Sequence, residues 1–243
     1  LLTSAMSGTA PDGTAIGLEA KYGDIFDIES RNGVEAVYTV QYSVNDGSGG
    51  TNAGIGEVLN FPYKAGGSPG GCCGFFQPTQ EYVNSFRTGA DGLPLLDGSY
   101  NDDPVINDQG LPADDASYVE DAGNLDPRLD WSVGRRGIPY LDWGDHTGQD
   151  WIRDQSYAGP YSPKKQVYKK SQENASFTEV GNWTSGYTAN GIRMIRYADI
   201  LLLAAECQAR TSSGDLGLAY VNQVRNRAAN PAGFVKEADG TTD

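Results

Sequence analysis

Basic charge is scarce in this 243-residue sequence, where 18 lysines and arginines stand against 32 aspartates and glutamates. The formal net charge of −14 argues against binding of nucleic acid or of an anionic lipid surface, because both require a basic protein face. No run of about 18 apolar residues occurs, so the sequence predicts no membrane-spanning helix. A length of 243 residues is enough to bury a sizeable folded core.

Histidine and cysteine are also rare, which restricts metal sites and catalytic centres. The single histidine, His146, has no nucleophile motif such as G-x-S-x-G near it, so no hydrolase triad is predicted. Cys72 and Cys73 are adjacent and are either two free thiols or a disulfide formed in an oxidising compartment. Cys207 is expected to be a small buried residue. The acidic stretch 97–108 lacks the spacing of a twelve-residue calcium loop, and no metal or cofactor is predicted.

Glycine is abundant, and 32 glycines with 12 prolines predict long, shaped loops. A short helix is predicted around residues 15–26, and alternating apolar residues predict a strand with one buried face over 34–42. Thr79 is expected to cap a further short helix. An extended element is predicted around 131–140, followed by a long irregular stretch.

The most regular segment is a pair of helices over residues 193–229. The first helix is apolar over most of its circumference and is expected to be largely buried. The second helix begins near Asp215 and ends at Asn230-Pro231. Such a pair resembles a tetratricopeptide unit, and one pair cannot bury its own faces. We therefore expect partner helices elsewhere in a longer polypeptide.

Residues 137–154, GIPYLDWGDHTGQDWIRD, interleave aromatic rings with carboxylates, amides and an arginine. Sugars are bound by such combinations, because their C–H faces stack on rings while polar groups bond the hydroxyls. The alternative is that Trp143 and Trp151 anchor a long loop to the body. Tyr157, Tyr161 and Trp183 are weaker candidates. The predicted ligand contacts are Tyr140, Asp142, Trp143, His146, Trp151 and Arg153.

Five motifs resemble, in order, those of the SusD/RagB family. The most specific is the helix RYADILLLAAE at 196–206, continued by AYVNQVRNRA at 219–228. The other segments are FQPTQEYVNSF at 76–86, LDPRL at 125–129 and NGVEAVYTVQ at 32–41. The Cys72-Cys73 pair and Tyr82 depart from the family pattern.

The resemblance implies a mainly α fold with long irregular loops, a few short strands and tetratricopeptide-type helix pairs. It divides the chain into a loop-rich ligand-binding region at 1–192, a helical hairpin at 193–230 and the start of a loop at 231–243. It further implies a non-catalytic outer-membrane lipoprotein of Bacteroidetes-type bacteria. The sequence would be an internal to C-terminal fragment of that protein, and the lipid-anchored N-terminal cysteine would lie outside it. Such a protein captures glycans or other oligomeric nutrients and delivers them to a SusC-like TonB-dependent transporter. The residues alone also allow a glycoside hydrolase or a protein-binding helical-repeat scaffold.

Overall fold

The computed structural model describes residues 2–10, 13–54, 59–63, 69, 73–179, 187–211 and 215–237. The chain divides into two compact units. The first comprises Leu1–Tyr42 and Asn190–Phe234, and the second comprises Ser43–Ala189 and Val235–Asp243. The helical hairpin thus groups with the N-terminal segment. No helix within the described ranges is long and apolar enough to cross a membrane.

The elements are short except for two helices near the end. The α-helices are α1 (Leu2–Met6), α2 (Gln80–Asn84), α3 (Leu129–Ser132), α4 (Gln155–Ala158), α5 (Tyr197–Thr211) and α6 (Asp215–Ala228). The strands are β1 (Ala36–Val40), β2 (Val133–Gly134), β3 (Ser162–Pro163), β4 (Thr178–Glu179), β5 (Tyr187–Thr188) and β6 (Ile192–Arg196). The 3₁₀ turns are Gly23–Phe26, Ile28–Ser30, Ser99–Asn101, Gly148–Trp151, Lys170–Gln172 and Pro231–Gly233.

In the first unit, α5 and α6 form the predicted hairpin around a small core of Ala198, Leu201 and Val224. The helices approach closely at Gly217, where a Cβ atom would lie 2.8 Å from the carbonyl oxygen of Ala205. The expectation that α5 is buried over most of its surface is wrong, because Leu202 and Leu203 are exposed. Cys207 is likewise exposed, and its thiol is free.

The first helix of the hairpin begins at Tyr197, four residues later than predicted. The preceding residues form β6, which pairs antiparallel with β1, Ala36 facing Arg196 and Val40 facing Ile192. Asp199 then accepts the backbone N–H of Arg196 at 2.8 Å, which is one half of a capping box and fixes the start of the helix. Pairing with a strand about 160 residues earlier in the chain therefore overrides helical periodicity here.

Two further expectations for the first unit fail. The segment predicted as a helix over 15–26 is irregular up to the turn Gly23–Phe26. Tyr38 and Val40 are exposed, although alternation predicted that this side of β1 would be buried. Among the described residues only β6 pairs with β1, and these two side chains of the resulting two-stranded sheet remain open to solvent.

A buried ion pair ties the second hairpin helix to the segment just before β1. Arg227 Nη1 lies 2.7 Å from Glu35 Oε2, and both side chains are buried. The same carboxylate oxygen accepts the backbone N–H of Glu19 at 2.9 Å. Charges removed from water in this way depend on each other, because either one alone would be buried without compensation.

The second unit has two main hydrophobic cores. One contains Phe61, Tyr140, Trp151, Val167 and Tyr168. The other contains Val83, Val105, Leu129, Val133 and Tyr161. Long loops between short elements are thus held by a few large rings, as the glycine content predicted.

Two local predictions in the second unit have opposite outcomes. Thr79 caps α2 as expected, because its hydroxyl oxygen accepts the N–H of Tyr82 at 3.1 Å. The segment predicted as extended begins instead with the helical turn α3. Trp131, which lies in this turn, is half-buried.

Candidate ligand-binding site

Three of the six predicted ligand contacts are core residues. Tyr140 is 0%, His146 1% and Trp151 6% exposed. The Tyr140 and Trp151 rings meet edge to face with centroids 5.9 Å apart, and the His146 ring lies 5.3 Å from that of Trp151. Their ring faces are covered by protein atoms, so no sugar can stack on them in this conformation. They anchor the segment 137–154 to the body.

His146 is held as a neutral donor. The N–H of Gly148 donates to its Nδ1 at 3.0 Å, which leaves the ring proton on Nε2, 2.9 Å from Ser162 Oγ. Burial, assisted by the nearby Lys164 ammonium, lowers the pKa of His146 to about 3. A base that activates serine needs an unprotonated nitrogen facing the hydroxyl and access for substrate. This buried pair has neither.

Asp142 and Trp143 also serve the local structure. The carboxylate of Asp142 accepts the backbone N–H groups of Lys170 and Ser171, at the start of a 3₁₀ turn. The Trp143 indole N–H donates to the carbonyl oxygen of Tyr168 at 2.9 Å. Trp143 packs against the core from a half-buried position, which is the loop-anchoring alternative stated above.

Arg153 is the predicted contact that lies in an open cleft. Its guanidinium carbon lies 4.6 Å from the ring centroid of Phe75 and 5.4 Å from that of Tyr63. Its Nη1 donates to the carbonyl oxygen of Cys73 at 2.7 Å. A guanidinium in contact with two rings and one carbonyl oxygen is held in one orientation, and because Arg153 is exposed its remaining N–H groups can serve as donors.

The aromatic cleft is the surface formed by residues 74–77 and 153–158, with Leu59 at its edge. Its volume is about 340 Å³, at the lower end of the roughly 300–1,000 Å³ of small-molecule sites. Phe75 is 43%, Phe76 66% and Tyr157 84% exposed. Three accessible rings therefore surround one fixed arginine.

The backbone conformation of both segments that form the cleft, 74–77 and 153–158, places these rings at the surface. Gly74 has φ +66° and Phe76 φ +57°, so the chain turns twice through the left-handed region that side chains rarely adopt. On the other side, Asp154 accepts the N–H groups of Ser156 and Tyr157 and caps α4, which carries Tyr157. The Gln77 amide donates to the carbonyl oxygen of Gly159 at 2.7 Å and joins the two sides.

The cleft is connected to the core beneath it. The N–H of Gly74 donates to Phe61 and the N–H of Phe75 to Leu59, at 2.9 and 2.8 Å. The N–H of Tyr63 donates to the carbonyl oxygen of Trp151 at 3.0 Å. Because Phe61 and Trp151 are core rings, the core sets the position of the exposed ones.

The sequence alone did not identify Phe75 or Phe76, and it placed Tyr157 among the weaker candidates. The available signal was an aromatic pair after a glycine and just before the capping turn at Pro78-Thr79. Tyr161 is buried, and Trp183 lies outside the described residues. Within the described ranges, no group of three or more His, Cys, Asp or Glu side chains could hold a metal ion.

The chain is similar to known proteins both in sequence and in structure. A sequence profile of the SusD family matches residues 34–243. A similar solved structure is a SusD-like protein from Bacteroides fragilis, at 21% identity and a TM-score of 0.50, with coverage of 97% of this chain and 42% of that one. Another is a complex with a xylogluco-oligosaccharide, at 15% identity and a TM-score of 0.54, covering 88% and 35% respectively. No curated protein matches the sequence significantly.

These likenesses confirm the expected SusD-like fold. The tetratricopeptide-type character of the helix pair stays a prediction. The chain spans less than half the length of either solved protein.

Proposed function

This chain belongs to the SusD family, and from that premise we propose that it captures glycans at the aromatic cleft without transforming them. The observation that carries the proposal is the set of three exposed rings, Phe75, Phe76 and Tyr157, around Arg153. Of the six contacts predicted from sequence, Arg153 is retained as a ligand contact.

The chemistry of the cleft suits a sugar chain. Ring faces stack on the C–H faces of pyranoses and remove apolar surface from water. Among the described residues, Arg153 donates only to the Cys73 carbonyl, so its other N–H groups are available to hydroxyls. The Asp154 carboxylate is engaged in capping α4, which leaves it poorly placed as an acid or base for glycosidic cleavage.

Three further elements of the proposal rest on family membership, and the first of them is also in keeping with the similar structure solved with a xylogluco-oligosaccharide. The ligand is a glycan or another oligomeric nutrient. The protein acts at the surface of the outer membrane, held by a lipid anchor. It passes its ligand to a SusC-like TonB-dependent transporter.

Tyr157→Ala tests the cleft directly. One ring face is about half of an aromatic side chain, so stacking contributes about 1–1.5 kcal/mol and its loss weakens Kd close to tenfold. Isothermal titration with a panel of oligosaccharides, xylogluco-oligosaccharides included, measures the change. Tyr38→Ala is the matched control, since Tyr38 is an exposed tyrosine of the other unit. Equal affinity of Tyr157→Ala and wild type for a bound glycan would refute the cleft assignment.

Absence of turnover is tested separately. Incubation with the polysaccharide that binds should retard the protein in an affinity gel and release no reducing ends. Steady release of product would contradict the binding-only function.

A further inference from the structure

The aromatic cleft adjoins a disulfide. Cys73 is disulfide-bonded and buried, whereas Cys207 is a free thiol on the surface. Of the two alternatives that the sequence left open for the glycine-rich loop, the disulfide is therefore the one that holds for Cys73. Cys72 lies outside the described residues.

Cys73 contacts one residue of the cleft and one of the core beneath it. Its carbonyl oxygen accepts the N–H of Arg153 at 2.7 Å, and it forms a parallel bridge with Phe61. The next three residues are Gly74, Phe75 and Phe76, so the disulfide-bonded residue directly precedes the segment that carries two of the three exposed rings.

The cleft segment has little tolerance for displacement. A Cβ atom on Gly74 would lie 2.6 Å from Cβ of Arg153 and 3.3 Å from Cβ of Tyr63, so the backbone is packed directly on both side chains. Phe76 keeps a left-handed backbone that is unfavourable for a residue with a side chain. Such a conformation persists only where its surroundings determine it, and the close packing of Gly74 on Arg153 and Tyr63 is one of the constraints.

We propose that the disulfide at Cys73 is a positioning element of the aromatic cleft, so that ligand affinity depends on its integrity. The proposal rests on the proposed function of the cleft. With the bond intact, the Cys73 carbonyl orients Arg153, and the Phe75 and Phe76 rings are presented in one arrangement. Without it, the segment has more conformations to lose when a ligand binds, and affinity falls because that ordering opposes binding.

Reduction and substitution test the proposal together. A dithiol reductant donates two electrons and two protons, becomes a cyclic disulfide itself and leaves two thiols on the protein. We expect reduced protein and Cys73→Ser to bind a xylogluco-oligosaccharide at least tenfold more weakly than oxidised wild type. Cys207→Ser is the matched control and should bind like wild type and lose affinity on reduction to the same extent. Unchanged affinity after verified reduction would overturn the proposal.

Hydrogen exchange supplies a readout that does not need a ligand. The N–H groups of Gly74 and Phe75 are hydrogen-bonded to carbonyl oxygens of Phe61 and Leu59, and reduction should speed their exchange while α2 and α3 stay protected. Loss of protection in those helices as well would make the disulfide a general stabiliser and refute a positioning role. If oxidised protein binds no glycan in the panel, the proposed function fails, while exchange still decides whether the disulfide shapes the cleft.

Discussion

His146 gives a pH dependence of stability that can be worked out from its surroundings. The side chain is buried and neutral, and burial together with the Lys164 ammonium lowers its pKa to about 3 from 6.5. In the unfolded chain the ring gains a proton as pH falls through 6.5, whereas the folded protein excludes that proton down to about pH 3. His146 therefore contributes full stability above pH 6.5 and progressively less as pH falls below it.

The magnitude follows from the proton balance. Each pH unit between the two pKa values changes the free energy of unfolding by about 1.4 kcal/mol. Between about pH 7 and 4.5, His146 alone should remove about 2.5 kcal/mol. That is a large part of the roughly 5–15 kcal/mol that separates folded from unfolded states in ordinary domains.

Two measurements isolate this contribution from the many carboxylates. The free energy of unfolding can be measured by urea denaturation, followed by tryptophan fluorescence, at pH 7 and at about pH 4.5. Between these two pH values it should fall by about 2.5 kcal/mol less in His146→Gln than in wild type, because glutamine keeps polar groups but does not titrate. The sequence has a single histidine, so one imidazole Cε1–H resonance of untagged protein reports its titration without ambiguity.

The reasoning is refuted if wild type and His146→Gln lose stability equally over that range. If His146→Gln does not fold, the resonance decides alone. A titration midpoint near pH 6.5 in folded protein would mean that the ring reaches water and is not held neutral between Gly148 and Ser162.

The remaining predictions concern stability in the two units. Arg227→Met should cost about 3–5 kcal/mol, because it leaves Glu35 buried without its partner, and adding Glu35→Leu should restore most of the loss in urea titrations; a double variant no better than the single would contradict this account. Gly217→Ala should lower the free energy of unfolding by about 1–3 kcal/mol, since its Cβ would press on the Ala205 carbonyl oxygen. An unchanged melting temperature would show that the two helices can move apart enough to accommodate the methyl group. Thr79→Ala should cost about 1 kcal/mol through loss of the cap, with no effect on a ligand titration at the cleft.

Local sequence patterns were sufficient to predict the capped helix α2 and the pairing of α5 with α6. Thr79 needs only the next few residues to act as a cap, and helical periodicity is a property of one short segment. The same reasoning failed at residues 193–196, because β6 is specified by a partner strand at Ala36–Val40 that no local pattern identifies. Long-range pairing is what single-segment periodicity cannot report.

In the candidate site, too, local sequence indicates the residue types, whereas their exposure depends on distant parts of the chain. Tyr140, His146 and Trp151 have the composition of a sugar-binding loop, but whether such rings face water or the core depends on Phe61, Val167 and Tyr168, which lie in other segments. The cleft joins Phe75 and Phe76 to Tyr157, about 80 residues further along the chain, so its existence is a product of the fold. Of the six predicted contacts, Arg153 alone lines the cleft, and its role in ligand binding stays a prediction.

Pairing of β1 with β6 also affects how the protein is made. The first unit is assembled from two segments, and the whole of Ser43–Ala189 is synthesised between them. At about 5–20 residues per second, Ala36 waits on the order of 10–30 s after translation before Arg196 emerges to pair with it. During that interval the apolar side chains of β1 have no strand partner, while the second unit has nearly all of its chain and can fold first. A released chain truncated near residue 190 should therefore be protected from proteases in the second unit and cleaved readily within residues 1–42.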